Sequence, residues 1–291
     1  MLNRIGRTNR TSLWRAAAVG LLAFFASVLP AHARVQETAA GPAFREFTDE
    51  VGRTVRIAQP VRRIVSLAPS LTEAVYALGL QDRLVGDTDY CDYPADAVKK
   101  HKVGGAVNPN FEEVAALKPD VVLVTKSLNR LETVRALEQL GIAAYTTDPH
   151  NVKEIIGSLK KLADVLGAQE AGAALGADLE KRLEGLRTKL NGVVPKRVMF
   201  VVWTDPLISV GKKTFIADAL EFAGANSVVE SKQDWPQFSL EEAVRLQPEY
   251  LVFASSHSEA VGNDVETLAK KPGWAIMEAV QKRKFALPTR L

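Results

Sequence analysis

The stretch NVKEIIGSLKKLADVLGAQEAGAALGADLEKRLEGLRTKL, residues 151–190, decides the fold because it joins the two halves of the chain. Asn151 is placed to cap a helix, Glu154 is placed to bond back to it, and Gly167 is a natural stop before a second helical segment. Apolar residues recur at helical spacing in both segments: Val152, Ile155, Ile156, Leu159, Leu162 and Leu166, then Leu175, Leu179, Leu183, Leu186 and Leu190. Sustained periodicity without proline predicts a rigid helical connector over residues 151–192.

The segments on either side of this connector follow one plan. An apolar run begins each half, RIVSL at 63–67 and RVMFVVW at 197–203, and the helix after the first run is expected to be capped by Ser70. Further on, FEEVAALKPDVVLV at 111–124 matches LEEAVRLQPEYLVF at 240–253. Short apolar runs that alternate with helices predict parallel strands buried on both faces.

The predicted fold class is therefore α/β, with two Rossmann-like lobes that contain parallel sheets. Residues 34–150 are predicted to form the first lobe and residues 193–291 the second, with the long, rigid helix of the connector between them. A ligand cleft is expected between the lobes, because clefts between domains are common binding sites.

The chain begins with the three-part pattern of a secretory signal over residues 1–33. Four arginines precede an apolar run at 16–29, and small residues end the segment, so cleavage is expected between Ala33 and Arg34. The run is shorter than the roughly 20 residues of a membrane span, and an uncleaved anchor is the alternative. The only cysteine, Cys91, lies too far away to carry an N-terminal lipid. These features predict a soluble protein exported to the periplasm.

Charge and cysteine content limit the possible partners. Four of the 37 Lys and Arg residues lie in the predicted signal, which holds no acid, so 33 bases face 34 acids and the exported chain carries −1. A nearly neutral chain gives no electrostatic reason to expect nucleic acid as a partner. A single cysteine allows no internal disulfide, so each lobe must rest on its own core. We expect a monomer.

Signatures of catalysis and of metal binding are weak. His101, His150 and His257 stand alone, without the paired spacing of a zinc site. Cys91 has no nucleophile motif around it, and no phosphate-binding glycine loop is present. The sequence therefore predicts no catalytic residue, no metal and no cofactor. An exported hydrolase that uses Cys91 or an Asp/Glu pair is the remaining enzyme alternative.

Three aromatic residues fall where strands end or turns enter helices, namely Tyr90, Trp203 and Trp235. Such positions face the cleft between parallel α/β lobes. An aromatic face is a large, flat, apolar surface that suits a planar ligand. Ordinary packing is the alternative for each of them taken alone.

Two acidic residues occupy matching positions in the two halves. NFEE at 110–113 and SLEE at 239–242 each open a helix, and the second Glu of each is expected to complete a capping box. Glu112 and Glu241 are left without a local role. They either favour the helix dipole, worth about 0.3–1 kcal/mol, or form one docking charge per lobe for a two-fold partner.

Four stretches together resemble the periplasmic receptors of vitamin B12 import: RIVSLAPSLTE at 63–73, DYCDYP at 89–94, NFEEVAALKPD at 110–120 and WPQFSLEE at 235–242. The wider family also contains haem and ferric-siderophore receptors and has two α/β lobes joined by one long helix. The resemblance implies that Tyr90 and Trp235 contact the corrin ligand, cobalamin. It also implies that Glu112 and Glu241 dock onto arginines of an ABC permease dimer, which works with a cytoplasmic ATPase. Trp203 matches no family contact.

Two departures from the family pattern change the expectation. Ala106 and Thr125 stand where the B12 receptors carry tryptophans, and the chain stops at 287–291, where relatives continue, so the second lobe is expected to be truncated. The first alternative for the transported ligand is haem or a ferric siderophore, which residues such as His101, Tyr90 and Arg290 would hold. A receptor for a bare metal lacks a visible cluster of ligands.

Overall fold

The computed structural model describes residues 43–254 and 268–286. The predicted signal, its cleavage after Ala33, His257, Arg290 and the expected truncation lie outside these residues. None of the described helices is long and apolar enough to cross a membrane.

A β-hairpin opens the described chain. Strands β1 (Ala43–Thr48) and β2 (Thr54–Gln59) pair antiparallel. Asp49 holds the turn between them, because its carboxylate accepts a hydrogen bond from the Arg53 amide at 2.8 Å and pairs with the Arg53 guanidinium at 2.6 Å. The same guanidinium donates to Thr146 Oγ1, so the hairpin is tied to the first lobe.

The first lobe contains a four-stranded parallel sheet with the order β4-β3-β5-β6. Its strands are β3 (Ile64–Ser66), β4 (Leu84–Gly86), β5 (Val121–Thr125) and β6 (Ala144–Thr147). Its helices are α1 (Pro69–Ala77), α2 (Phe111–Ala116) and α3 (Leu131–Gln139). Ile64 packs in one core cluster and Val65 in another, so both faces of the sheet are buried, as its apolar runs predicted.

Two helices form the connector, α4 (Val152–Val165) and α5 (Gln169–Leu190). Gly167, at φ +70°, separates them at the predicted position. α5 has 22 residues and is about 33 Å long at 1.5 Å per residue. Gly172 has no room for a Cβ beside Ala163, so the two helices pack closely.

The second lobe contains a parallel sheet with the order β10-β7-β12-β13 and a small antiparallel sheet with the order β11-β9-β8. The parallel strands are β7 (Lys196–Val201), β10 (Ala225–Ser227), β12 (Tyr250–Phe253) and β13 (Phe285–Ala286). The antiparallel strands are β8 (Trp203–Thr204), β9 (Leu207–Ile208) and β11 (Gln237–Phe238). The described helices are α6 (Phe215–Phe222), α7 (Leu240–Leu246) and α8 (Glu278–Gln281).

Both parallel sheets place the first strand of the lobe between the second and the third. The repeat inferred from the sequence is therefore present in the strand order, and the predicted α/β class with two parallel-sheet lobes is confirmed.

The connector is attached to both lobes. Leu162 and Leu166 are buried in the core cluster of the first lobe. At the other end, the amide of Val152 donates to Asp218 Oδ2 of α6 at 2.7 Å, and the Arg187 guanidinium lies 5.0 Å from the centre of the Phe222 ring. A helix pair that packs in one core and contacts a helix of the other lobe is a stiffer joint than an unpacked linker.

The helix caps agree with the prediction in part. Four side chains accept amide hydrogen bonds at helix starts: Asn110, Asn151, Thr214 and Ser239. Ser70 is not a cap, because α1 already begins at Pro69, whose fixed φ suits the first helical turn.

The back bonds predicted for Glu113 and Glu154 were wrong. Glu113 binds His101 Nε2 at 2.8 Å in place of the Asn110 amide, which already donates to the Val103 carbonyl. Glu154 accepts from the amide of His150 in place of Asn151, and this hydrogen bond lowers the pKa of the Glu154 carboxyl.

Candidate functional site

The carboxyl ends of the parallel strands form the edge where open α/β sheets bind ligands. In the first lobe the connections from β3 and β5 lead to opposite sides, which leaves a crevice between the ends of these two strands. β7 and β12 have the same relation in the second lobe. The candidate site residues lie in the loops that follow such strand ends.

Tyr90 lies in the loop after β4, and 68% of its surface is exposed. The amide of Asp89 donates to the Gly104 carbonyl at 3.0 Å, which joins this loop to the segment before α2. The Tyr90 ring lies near Gly105, where an added Cβ would be 3.9 Å from the ring carbon Cε2. The phenol therefore projects from a loop that has a second loop as its support.

A buried ion pair holds the Tyr90 loop closed. Lys102 Nζ lies 2.8 Å from Asp87 Oδ1 and donates to the carbonyls of Cys91 and Ala97 at 2.9 and 3.1 Å. The Asp87 side chain is fully buried, and this burial raises the pKa of its carboxyl, against the lowering effect of Lys102. Asp87 Oδ2 has no hydrogen-bond partner within the described part of the chain.

Cys91 is part of the interior of the same loop, with 1% of its surface exposed. Its Sγ lies 3.2 Å from Thr72 Oγ1 and 3.1 Å from Thr88 Oγ1, and Thr72 donates in turn to Ser66 Oγ. The thiol is buried and packs among hydroxyl groups. This placement gives no support to a hydrolase that uses Cys91 as its nucleophile.

Trp203 lies on the small antiparallel sheet of the second lobe, and Trp235 lies in the bend that precedes strand β11. Trp203 pairs with Ile208, and Ile208 pairs on its other side with Gln237. Trp235 precedes Gln237 by two residues. About half of each indole is exposed, 46% and 49%. The two tryptophans therefore lie at opposite edge strands of this sheet, Trp203 in β8 and Trp235 just before β11, whereas Tyr90 lies on the other lobe.

Backbone hydrogen bonds hold both tryptophans in place. The carbonyls on either side of Trp235 accept from the amides of Ser209 and Gly211, each at 3.0 Å. Gly211 has no room for a Cβ, so the two chain segments approach closely there. Trp203 Nε1 donates to the Asp205 carbonyl at 2.8 Å, which fixes the orientation of the indole.

Glu112 and Glu241 lie in the first turns of α2 and α7, and both are exposed. Asn110 and Ser239 cap the two helices in the same manner, through the amides that follow. Neither Glu112 nor Glu241 makes an ion pair or a side-chain hydrogen bond within the described residues. Each lobe therefore offers one unpaired carboxylate at a matching position.

His101 and His150 each lie beside a carboxylate. His101 Nε2 lies 2.8 Å from Glu113 Oε2, and His150 Nε2 lies 3.4 Å from Asp148 Oδ2. Within residues described by the structure, no group of three or more His, Cys, Asp or Glu side chains could hold a metal ion.

The positions where tryptophans were expected by resemblance are small and buried. Ala106 is 3% exposed and Thr125 is 7% exposed, whereas the nearby aliphatic residues Val107 and Leu128 are about 40% exposed. Two exposed aliphatic side chains, Val107 and Leu128, therefore lie close in sequence to these small positions on the first lobe.

Asn129, which no sequence pattern singled out, is a buried polar residue at this edge. Its Oδ1 accepts from the Thr125 amide at 2.7 Å, and its Nδ2 donates to the carbonyls of Leu67 and Ala106 at 2.9 and 2.8 Å. An asparagine two residues before a helix is an ordinary loop residue in a sequence, so only the structure reveals these bonds.

Two α/β lobes on a helical connector, with aromatic side chains exposed at strand ends, form the architecture of a receptor for a small ligand. The model of the periplasmic binding protein family matches residues 64–288, and the chain belongs to this family.

The chain is similar in sequence to vitamin B12-binding proteins of known name. The chain is 31% identical over 205 residues to the vitamin B12-binding protein of Vibrio cholerae serotype O1, which covers 70% of this chain and 74% of that protein. It is also 31% identical over 203 residues to the vitamin B12-binding protein of Yersinia pestis, with coverage of 69% and 72%.

Solved structures show the same two-lobed fold. The periplasmic vitamin B12-binding protein of Vibrio cholerae superposes with a TM-score of 0.68 at 28% identity, over 79% of this chain and 88% of that one. The periplasmic haem-binding protein of Roseiflexus sp. RS-1, in its apo form, superposes with a TM-score of 0.71 at 25% identity, over 78% and 89%.

Proposed function

We propose that this chain is a periplasmic receptor that captures cobalamin or a related corrinoid between its lobes and delivers it to an ABC permease. The observation that carries the proposal is the 31% identity to vitamin B12-binding proteins over about 70% of the chain. The receptor holds its ligand without transforming it, so neither a catalytic residue nor a resident cofactor is part of the proposal.

The exposed aromatic residues fit this cargo. A corrin ring is wide and flat, and aromatic rings bury large flat surfaces with little loss of conformational freedom. Tyr90 would contact the ligand from the first lobe, and Trp203 and Trp235 would contact it from the second. Because Trp203 Nε1 already donates to the Asp205 carbonyl and backbone bonds hold the chain on either side of Trp235, less ordering is needed on binding, and preorganisation of this kind favours affinity.

Alanine variants of the three aromatic residues test this assignment. We expect Tyr90→Ala, Trp203→Ala and Trp235→Ala each to weaken the binding of cyanocobalamin about tenfold or more, measured by calorimetry. Phe44→Ala is a matched control, because Phe44 is also half exposed but lies on the β1 strand. Wild-type affinity in all three site variants would refute the proposed contacts.

Glu112 and Glu241 are proposed to dock onto the permease dimer, which works with its cytoplasmic ATPase. Two unpaired carboxylates, one per lobe and each in a first helical turn, suit a two-fold partner with one basic pocket for each. Exposed charges of this kind give orientation and a faster approach of the partner.

A double variant separates docking from capture. Glu112→Ala combined with Glu241→Ala is expected to retain ligand affinity and to abolish uptake in cells that depend on this receptor. The control combines Glu132→Ala and Glu170→Ala, which are exposed acids in the first turns of α3 and α5. Normal uptake by the first double variant would remove the docking assignment.

Haem is the second candidate cargo, favoured by the haem-binding relative and by the exposed Tyr90 hydroxyl. A phenolate can ligate haem iron, whereas a corrinoid would use only the ring face. Tyr90→Phe therefore separates the two ligands. It is expected to leave cyanocobalamin affinity nearly unchanged, whereas iron ligation by Tyr90 would predict a changed haemin spectrum in this variant.

The compartment and the domain boundaries complete the proposal. Residues 1–33 are proposed to be a signal cleaved between Ala33 and Arg34, followed by lobes at 34–150 and 193–291 around the connector at 151–192. N-terminal sequencing of the periplasmic protein should begin at Arg34, and the purified protein should be a monomer by light scattering. A protein that remains in the membrane would indicate an uncleaved anchor.

A further inference from the structure

The side chain of Asn129 joins three separate segments of the first lobe. Leu67 follows β3, Thr125 ends β5, and Ala106 lies in the loop before α2. The first two positions border the crevice between β3 and β5, where open α/β sheets bind ligands. Asn129 therefore bridges this crevice and ties a third loop to it.

The hydrogen bond from Asn129 to Ala106 also links Asn129 to the segment that contacts the Tyr90 loop. Ala106 directly follows Gly105, near which the Tyr90 ring lies, and the Gly104 carbonyl accepts a hydrogen bond from the Asp89 amide. The support of Tyr90 is thus itself supported by Asn129.

The chemistry of this position is specific to asparagine. Both Nδ2 hydrogens are used by carbonyl groups and Oδ1 is used by an amide, all inside the protein. An aspartate could not donate, and an apolar residue would leave three buried backbone groups without partners.

We propose that Asn129 is a positioning residue for the ligand, which holds Tyr90, Val107 and Leu128 in one surface at the edge of the first lobe. This inference rests on the proposed receptor function. A site is precise when the residues that touch the ligand are held by further hydrogen bonds, and Asn129 supplies them here. Asn129 itself is 8% exposed and acts through its neighbours.

The test compares Asn129→Ala with Asp120→Ala. Asp120 Oδ2 accepts hydrogen bonds from the backbone amides of Arg62 and Arg63 at 2.7 and 2.8 Å, at the opposite end of the same sheet. Asp120→Ala therefore removes side chain–backbone bonds of a similar kind at a place away from the ligand edge. We expect folded Asn129→Ala to bind cyanocobalamin about tenfold or more weakly, with Asp120→Ala close to wild type. Equal affinity in folded Asn129→Ala and wild type would overturn the proposal.

Amide hydrogen exchange gives a second readout that needs no ligand. Exchange in residues 104–110 and at Thr125 should be faster in Asn129→Ala than in Asp120→Ala, with the second lobe unchanged. Unchanged exchange at the ligand edge would also overturn the proposal. If Asn129→Ala does not fold, Asn129→Ser is compared in the same way.

The readouts also separate failure of this inference from failure of the proposed function. A folded wild-type protein that binds haemin and not cyanocobalamin would refute the proposed cargo, and the affinity comparison is then made with haemin. If it binds neither, the exchange comparison alone decides the role of Asn129.

Discussion

The two lobes share one strand order but hold their aromatic residues in different ways. In the first lobe, side chains fasten the loops: Lys102 crosses the Tyr90 loop, and Asn129 bridges the neighbouring segments. In the second lobe, backbone hydrogen bonds hold the chain at Trp203, in the small antiparallel sheet, and on either side of Trp235.

This difference predicts how each lobe responds to substitution. A loop fastened by a few buried side chains depends strongly on single residues, because each supplies several bonds. A segment held by backbone bonds keeps them when a side chain changes. Single substitutions should therefore disturb the ligand edge of the first lobe much more than that of the second.

The largest effect is expected for Lys102→Met. This change leaves the buried Asp87 carboxylate unpaired, and the free energy of unfolding should fall by about 3 kcal/mol or more at pH 7. The loss should shrink as the pH falls, because a protonated Asp87 needs no cation. Urea unfolding at several pH values measures it.

Lys99→Met is the matched control for Lys102→Met. Lys99 pairs with Asp96 at 3.2 Å, and both side chains are mostly exposed, so this change should alter stability by less than about 1 kcal/mol. Equal losses in the two variants would show that the buried pair has no special role.

A pH-dependent effect is expected from Tyr145 of β6, whereas the corresponding edge strand β13 of the second lobe carries Phe285. Burial raises the pKa of Tyr145 to about 12, above the unfolded value near 10. Tyr145 therefore contributes fully to the free energy of unfolding below pH 10. As the pH rises from 10 to 12, the free energy of unfolding should fall by up to about 3 kcal/mol, because the tyrosine ionises more easily in the unfolded chain.

Tyr145→Phe should abolish that loss. The variant should unfold like wild type at pH 7 and should be more stable than wild type near pH 11 to 12, as measured by urea unfolding. Identical alkaline stability in the two proteins would contradict the raised pKa of Tyr145.

A smaller effect is expected for Ser209→Ala in the second lobe. The Ser209 hydroxyl donates to the Phe200 carbonyl at 2.6 Å, so its removal should cost about 1 kcal/mol in thermal unfolding experiments. The backbone amide of Ser209 still donates to the Pro236 carbonyl beside Trp235 in this variant. Ligand affinity should therefore stay within about twofold of wild type. A tenfold loss of affinity would contradict the backbone account of this lobe.

The smallest effect is expected in the arrangement of the lobes. The connector packs in the core of the first lobe and is bonded to α6 of the second, so the radius of gyration from small-angle scattering should change by less than about 1 Å when ligand binds. A compaction of several ångströms would show that the connector is a hinge.

The sequence predicts the connector and the two sheets because these rest on local patterns. Apolar spacing over 151–190 and the position of Gly167 specify two helices, and buried runs such as 121–125 specify parallel strands. The helix N-caps at Asn110, Asn151 and Ser239 are equally local.

The supports of the site could not be predicted, because their partners meet only after folding. Asn129 bonds to Leu67, which lies 62 residues earlier, and Lys102 pairs with Asp87 across 15 residues. Glu113 looks like a capping residue in the sequence, yet it binds His101, which folding brings close. Exposed residues such as Tyr90 are easier to identify than the buried polar residues that hold them.

The proposed capture of cobalamin is tested most directly by calorimetric titration of residues 34–291 with cyanocobalamin. The account predicts tight binding of one ligand per chain. The absence of any heat of binding, with protein that circular dichroism shows to be folded, would contradict it.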